Sequence, residues 1–280
     1  MSTSKGVDLP YFDVLLKQIG DGNTAVEQGF GRHVHYGYWE NPRAAKADGA
    51  AFLEAAENLS QAMCEVGGIG NAMRVLDAGC GFGGTIAHMN ERYTGMQLTG
   101  LNLDPRQLER ARAKVVARAG NEIEFVEGDA CKMPLEDESF DRVLAVECIF
   151  HFPSRKAFFQ EARRVLKPGG TLAVCDFVPS PGLVPFTSIR LPGRLSRGFY
   201  GNCNLTYTRG DYRRLARNTG FEVLSERNIT ANIRPTFKYI WRLAKETSYL
   251  KGSAYLETGL LQLLSRVRLL KYEIYAYRKA

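Results

Sequence analysis

The run Val75-Leu76-Asp77-Ala78-Gly79-Cys80-Gly81-Phe82-Gly83-Gly84-Thr85 constrains this chain more than any other part of it. A short, nearly all-apolar run suits a strand buried on both faces. The glycines after it let the backbone turn sharply and approach a ligand closely. The helix that follows offers free N–H groups and the positive end of its dipole, so a nucleotide-like molecule is the natural occupant.

Gly79, Gly81 and Gly84 also satisfy G-x-G-x-x-G, a pattern that is weak alone. Asp77, two residues before the first glycine, decides the matter. A pyrophosphate would repel its carboxylate, whereas a ligand ammonium group would attract it. Further on, Gly128-Asp129-Ala130 ends the third predicted strand, where a carboxylate can accept from an adenine amino group. A ligand carrying both adenosine and an α-amino acid would use both.

The surrounding pattern is a strand and helix alternation. Strands are predicted at Met73–Ala78, Gln97–Leu103, Glu122–Glu127, Arg142–Cys148 and Thr171–Phe177, and later at Phe221–Ile229 and Lys271–Tyr277. Helices are predicted between them, near Arg155–Leu166 and Arg209–Thr219 among others. Such alternation implies right-handed βαβ units and a parallel sheet with helices on both faces. At 280 residues the chain can bury a full core as one large α/β domain with additions.

No apolar run approaches the ~20 residues of a membrane-spanning helix, and MSTSKGVDLP lacks a signal-peptide core. The expectation is a soluble, cytoplasmic protein. Six cysteines stand singly, with neither Cys-x-x-Cys nor a Cys/His cluster, so they read as small buried side chains and no metal site is expected.

Through these and further motifs, the sequence resembles the class I S-adenosylmethionine-dependent methyltransferases over most of residues 30–230. The likeness rests on the D-x-G-x-G-x-G turn, Gly128-Asp129-Ala130, PLEDESFD ending in Leu135 to Asp141, Val165-Leu166-Lys167-Pro168-Gly169-Gly170 and the strand TLAVCDF. It implies a Rossmann-like, doubly wound, mostly parallel seven-stranded sheet with helical lid insertions and an antiparallel last strand. In these terms residues 1–60 form an N-terminal helical lid, 61–178 the cofactor-binding core, 179–208 and 231–268 caps over the substrate, and 269–280 the final strand. S-adenosyl-L-methionine is the implied cofactor, with contacts from Tyr36, Asp77, Gly79, Gly81, Gly83, Asn102, Leu103, Gln107, Asp129, Ala130 and Glu147. Asn102 is a departure: the family commonly has an acid there to hold the ribose hydroxyls, and an amide binds a diol without charge assistance. Asp104, before Pro105, reads as a helix N-cap.

Two segments resemble the small-molecule branch, which includes sugar, polyketide, tocopherol and mycolic-acid enzymes. His35-Tyr36-Gly37-Tyr38-Trp39 matches H-x-G-Y-W, and Glu147-Cys148-Ile149-Phe150-His151-Phe152-Pro153 matches E-x-x-x-H-x-P after the fourth strand. The carboxyl ends of such strands face the ligand crevice. His151 is the candidate base for a substrate hydroxyl, Asp176 could orient it, and Glu147 is the third candidate catalytic group; His33 and His35 would buttress the lid. The aromatics Phe186, Phe199, Tyr200, Phe237, Tyr239 and Trp241 would together line an apolar acceptor pocket.

Charge bears on the acceptor. Residues 1–178 carry 19 Lys and Arg against 24 Asp and Glu, while residues 179–280 carry 18 against 6. The basic excess of the whole chain, +7, therefore belongs to the C-terminal third. Arg190, Arg194, Arg197 and Arg234 could bind a carboxylate or diphosphate through their planar forks. The expected acceptor is a small molecule, apolar and potentially anionic, methylated at a hydroxyl. C-methylation of a prenyl diphosphate and N-methylation of a small molecule are the alternatives. A nucleic-acid partner is disfavoured because Glu147–Pro153 is apolar apart from its Glu and His, and a non-catalytic binding protein because Asp77 and the His151 region are both present.

Overall fold

The computed structural model describes residues 9–187, 198–247, 249–250 and 252–280. Two helices, α1 (Pro10–Gly20) and α2 (Thr24–Phe30), come first, followed by an extended stretch through Trp39 and the long α3 (Gly49–Gly67). The alternation then begins: β1 (Arg74–Ala78), α4 (Gly84–Arg92), β2 (Gln97–Asn102), α5 (Pro105–Lys114), β3 (Glu122–Glu127), β4 (Phe140–Val146), α6 (Arg155–Val165) and β5 (Leu166–Pro179). After the short α7 (Val184–Thr187) come α8 (Arg209–Asn218), β6 (Phe221–Asn228), α9 (Thr230–Glu246), α10 (Ser253–Arg266) and β7 (Leu270–Lys279).

The seven strands order as β3-β2-β1-β4-β5-β7-β6. The first five are parallel, and β7 runs antiparallel to both β5 and β6. The sheet predicted from strand spacing and from the resemblance is the sheet observed. Val75, Leu76 and Ala78 of β1 and Val143 to Ala145 of β4 are all fully buried, as strands covered on both faces must be. Two apolar cores result, one on each face. Phe52, Leu59 and Met63 of α3 join the first, and Phe158, Phe159 and Ala162 of α6 join the second.

Local chemistry sets the helix ends. Asp48, Asp104 and Ser154 cap α3, α5 and α6 through their side chains, and Pro105 occupies the first turn of α5. Thr208 and Asp211 form a reciprocal capping box on α8. The domain boundary drawn at residue 60 falls inside α3, which packs on β4, β5 and β7. That helix is a layer of the sheet's first face, and the cover over the crevice is made instead by α1, the 32–39 stretch and the elements after β5.

Candidate active site

The carboxyl end of β1 opens into the glycine turn. Gly79 takes φ +81° and its N–H donates to the Leu101 carbonyl at 2.7 Å. A Cβ there would stand 2.8 Å from Cβ and Sγ of Cys148, so β1 and the β4 end approach as closely as they can. Gly81, at φ +54°, has only Phe12 and Gln107 near its missing Cβ, at 3.9 and 4.0 Å, and it borders a cavity of about 340 Å³. Gly83 is the N-cap of α4 and packs against Ala111 and Phe125; it does not border the cavity, while Gly84 does. The structure thus sets Gly84, and not the expected Gly83, on the cavity wall, because the turn directs residue 83 back against α5 and β3.

Asp77 lies on the wall of this cavity, 1% exposed. Its Oδ1 has no hydrogen-bond partner, and burial pushes its carboxyl up to about 7. A buried acid oxygen with nothing to bind calls for a donor from a ligand. Asn102 ends β2, its Nδ2 donating to Gln107 Oε1 at 3.0 Å, and both line the cavity beside Leu103. Asp104 caps α5 as predicted. Asp129 accepts from the Cys131 N–H at 2.8 Å through Oδ1 and borders the same space with Ala130. The lone oxygen of Asp77, the amides of Asn102 and Gln107 and the carboxylate of Asp129 form a donor and acceptor set that fits a ligand bearing an ammonium group and adenosine.

A second, larger cavity of about 880 Å³ meets the first at Tyr11, Val34, His35, Glu147, His151 and Phe152. Glu147 follows β4 in the left-handed region, at φ +52°, a costly conformation for a residue with a Cβ. Its Oε2 accepts from the Tyr36 N–H at 2.8 Å and from Tyr272 Oη at 2.5 Å. Burial raises its carboxyl to about 8 against those two bonds. His151 ends the turn after β4, its Nε2 3.5 Å from Tyr11 Oη. Burial, assisted by the charge of Arg155, lowers its imidazole to about 3.

Several expected site residues stand elsewhere. Asp176 is fully buried and binds Arg155 by Nε at 3.2 Å and by the guanidinium terminus at 2.7 Å, together with Tyr212 Oη and the Phe177 N–H. It lines neither cavity and is bonded to Arg155, not to His151, since the side chain projects from β5 into the second core. Tyr36 borders the larger cavity and not the smaller one, with its hydroxyl unpartnered. Its ring packs edge-on against Phe177 and Phe237, so it faces the acceptor side.

Of the six aromatics grouped as pocket lining, only Tyr200 borders the larger cavity. Phe237 lies under Tyr36, Tyr239 stacks on Phe52, Trp241 bonds Gln262, Phe199 meets Tyr249, and Phe186 is exposed. The lining comes instead from Tyr11, Phe30, Phe150, Phe177 and Tyr249, residues whose shared location depends on tertiary packing. Tyr11 and Tyr272 touch the candidate catalytic groups and carry no motif; the alternation of β7 signals which face Tyr272 takes, but not its partner. Arg190, Arg194 and Arg197 lie outside the described residues. Arg234 donates to the carbonyls of Ser265 and Arg266 and lines neither cavity.

No helix among the described residues is long and apolar enough to cross a membrane. Residues 76–174 match a family model described as a methyltransferase domain. The chain is 33% identical over 235 residues to the methyltransferase GfsG of Streptomyces halstedii, covering 80% of each chain. It is 30% identical over 227 residues to the 27-O-demethylrifamycin SV methyltransferase of Amycolatopsis mediterranei, covering 79% of each. Among solved structures it resembles the geranyl diphosphate C-methyltransferase of Streptomyces coelicolor, with a TM-score of 0.71, 18% identity, and coverage of 97% of this chain and 98% of that one.

Proposed function

Because this chain belongs to the S-adenosylmethionine-dependent methyltransferases, we propose that it methylates a hydroxyl of a medium-sized, largely apolar natural product such as a polyketide or glycoside. The observation that carries the reading is the meeting of the two cavities at Glu147 and His151. The cofactor supplies an electrophilic methyl group on a sulfonium sulfur. Asp77 would hold its ammonium group, Asn102 and Gln107 its ribose, and Asp129 its adenine.

The chain's own work is alignment and proton removal. Tyr36 and Tyr272 both occupy Glu147 Oε2, which leaves Oε1 for the acceptor's O–H. A group near 8 is well matched to accept that proton close to neutrality, and a positioned base contributes ~10²–10⁴-fold. His151 is the weaker base: with its value near 3 it is neutral throughout the working range and holds a proton poorly. Its part is to orient the acceptor hydroxyl, together with Tyr11. Proton removal, assigned to His151 from the sequence, therefore moves to Glu147 in this reading. An incoming sulfonium cation further favours the Glu147 carboxylate.

The described residues lining the larger cavity include two carboxylates, Glu147 and Glu257, and no Lys or Arg. The described part of that wall favours a neutral acceptor over a diphosphate. Incubation with methyl-labelled S-adenosylmethionine and two panels, hydroxylated polyketides or glycosides and prenyl diphosphates, tests the proposal. Label is expected in the first panel, with Glu147→Gln lowering kcat by ~10²–10⁴-fold. Label confined to the second panel overturns the hydroxyl reading.

A further inference from the structure

Three of the four histidines cluster with one acid, His33 and His35 on the wall of the smaller cavity. His35 Nδ1 lies 2.9 Å from the Tyr36 carbonyl, and His35 Nε2 lies 3.1 Å from His33 Nδ1. His33 Nε2 lies 2.8 Å from Glu57 Oε1, and Glu57 Oε2 lies 2.6 Å from His88 Nδ1. His33 and His88 are buried, and the Glu57 side chain is 19% exposed. Arg32 Nε lies 2.7 Å from Glu57 as an ion pair without a hydrogen bond, Arg92 stands 3.7 Å from it, and Gln61 bonds the far nitrogen of His88.

Proton arithmetic gives this chain a definite character. A carbonyl only accepts, so His35 Nδ1 must donate to Tyr36. His35 Nε2 then accepts from His33 Nδ1, or else carries a proton itself. The bond between His33 Nε2 and Glu57 needs a third proton. Two neutral imidazoles and a carboxylate hold two, so the linkage needs one proton more, wherever along it that proton resides. Burial opposes charge on Glu57, but its bonds from His33 and His88, with Arg32 beside it, more than offset this and hold its carboxyl below the usual range. Burial lowers both His33 and His35, and the Glu57 anion, bonded to His33, works against that loss.

The other end of the line is Glu147. The peptide whose carbonyl receives His35 belongs to Tyr36, the residue whose N–H donates to Glu147 Oε2. We propose that Glu57 is a positioning residue for Glu147, acting through His33, His35 and the Tyr36 backbone to hold the N–H that favours the Glu147 carboxylate. The catalytic meaning of this rests on the role of Glu147 proposed above, while the coupling itself does not. Tyr272 Oη, the Tyr36 N–H, Cys175 and Asp176 are the other groups that act on Glu147, and none is bonded to Glu57.

The test is a pH titration of the Glu147 side-chain carboxyl by ¹³C NMR of δ-labelled glutamate, in the intact protein and in Glu57→Gln. Loss of the anion should loosen the Tyr36 N–H and raise the Glu147 midpoint by about half to one unit. Turnover near pH 7 should fall about three- to tenfold with the KM for S-adenosylmethionine unchanged, as expected when a group acts in the reaction step alone. His33→Gln breaks the same line at another point and should give the same shift, and it substitutes should Glu57→Gln fail to fold. Glu91→Gln, which removes only the outer partner of Arg32, should leave the midpoint in place. A Glu147 midpoint unmoved in Glu57→Gln and His33→Gln overturns the proposal. A moved midpoint with full turnover in Glu147→Gln keeps the coupling and overturns the base assignment instead.

Discussion

Asp77 shows what one side chain contributes and costs. Its carboxyl, ordinarily near 3.8, stands near 7 in the folded chain because it is buried with one oxygen unpartnered. The folded state therefore binds the proton more tightly than the unfolded chain. Well below pH 3.8 both states are protonated and nothing is lost; as pH rises toward 7 the folded state is progressively penalised, to a ceiling of roughly 4 kcal/mol. Asp77→Asn should raise the melting temperature of the cofactor-free protein at pH 8, with little gain at pH 4, and weaken S-adenosylmethionine binding at least tenfold. Calorimetry at the two pH values and a binding titration check both halves; unchanged affinity would remove the ammonium contact. The cavity-wall positions of Asp77, Asn102 and Asp129 were legible in the sequence because each lies at or just past the carboxyl end of a strand, in a local motif. Tyr11 and Tyr272 were not, because what places them beside His151 and Glu147 is packing between segments 140 and 125 residues apart. Asp176 was misassigned for the same reason: its strand end is evident in the sequence, whereas its partner Arg155 is a tertiary fact.

At the scale of the element, the glycine turn divides its labour between folding and binding. Gly81→Ala places a methyl group at the open cavity wall and strains a left-handed residue, so it should cost about 1–2 kcal/mol of stability and most of the cofactor affinity. Gly79→Ala adds a methyl group 2.8 Å from Cys148, whose side chain sits within a packed core. It should be the more destabilising of the two by chemical denaturation; equal losses would mean that the β1 and β4 ends separate easily. The five parallel strands and their helices were readable because alternating apolar runs, caps and turn glycines all agree locally. The cover was not. α9 carries Pro235 inside the helix, removing one backbone donor, while the adjacent Thr236 Oγ1 accepts from the Gly37 N–H and from Trp39 Nε1. Such cross-element bonds fix the 32–39 stretch, and no periodicity announces them.

The whole molecule brings together a mildly acidic core and a basic C-terminal third. Among the described residues, no Lys or Arg of that basic third lines either cavity. The smaller cavity is lined wholly from the acidic part: Leu9, Tyr11, Phe12 and Arg32 from the N-terminal segment, and the β-strand ends from the core. Cofactor binding should therefore tie the first helices to the sheet. At 100 times the dissociation constant, the ligand should add about 2.7 kcal/mol to global stability. Hydrogen exchange of the amides of residues 11–36 should slow with it, more than that of β6. Equal protection everywhere would mean that α1 and the 32–39 stretch are already as stable as the sheet.

The position of β7 has a further consequence for biosynthesis. It is the last strand in sequence, yet it lies inside the sheet between β5 and β6 and delivers Tyr272 to Glu147. A nascent chain can assemble the five parallel strands and the glycine turn early, but β6 has no edge to join until residues 270–279 leave the ribosome. The residues that line the smaller cavity are thus all made before β7, while the hydroxyl that bonds Glu147 arrives only with residue 272. Synthesis orders the two: the cavity wall first, the Tyr272 bond to Glu147 after it.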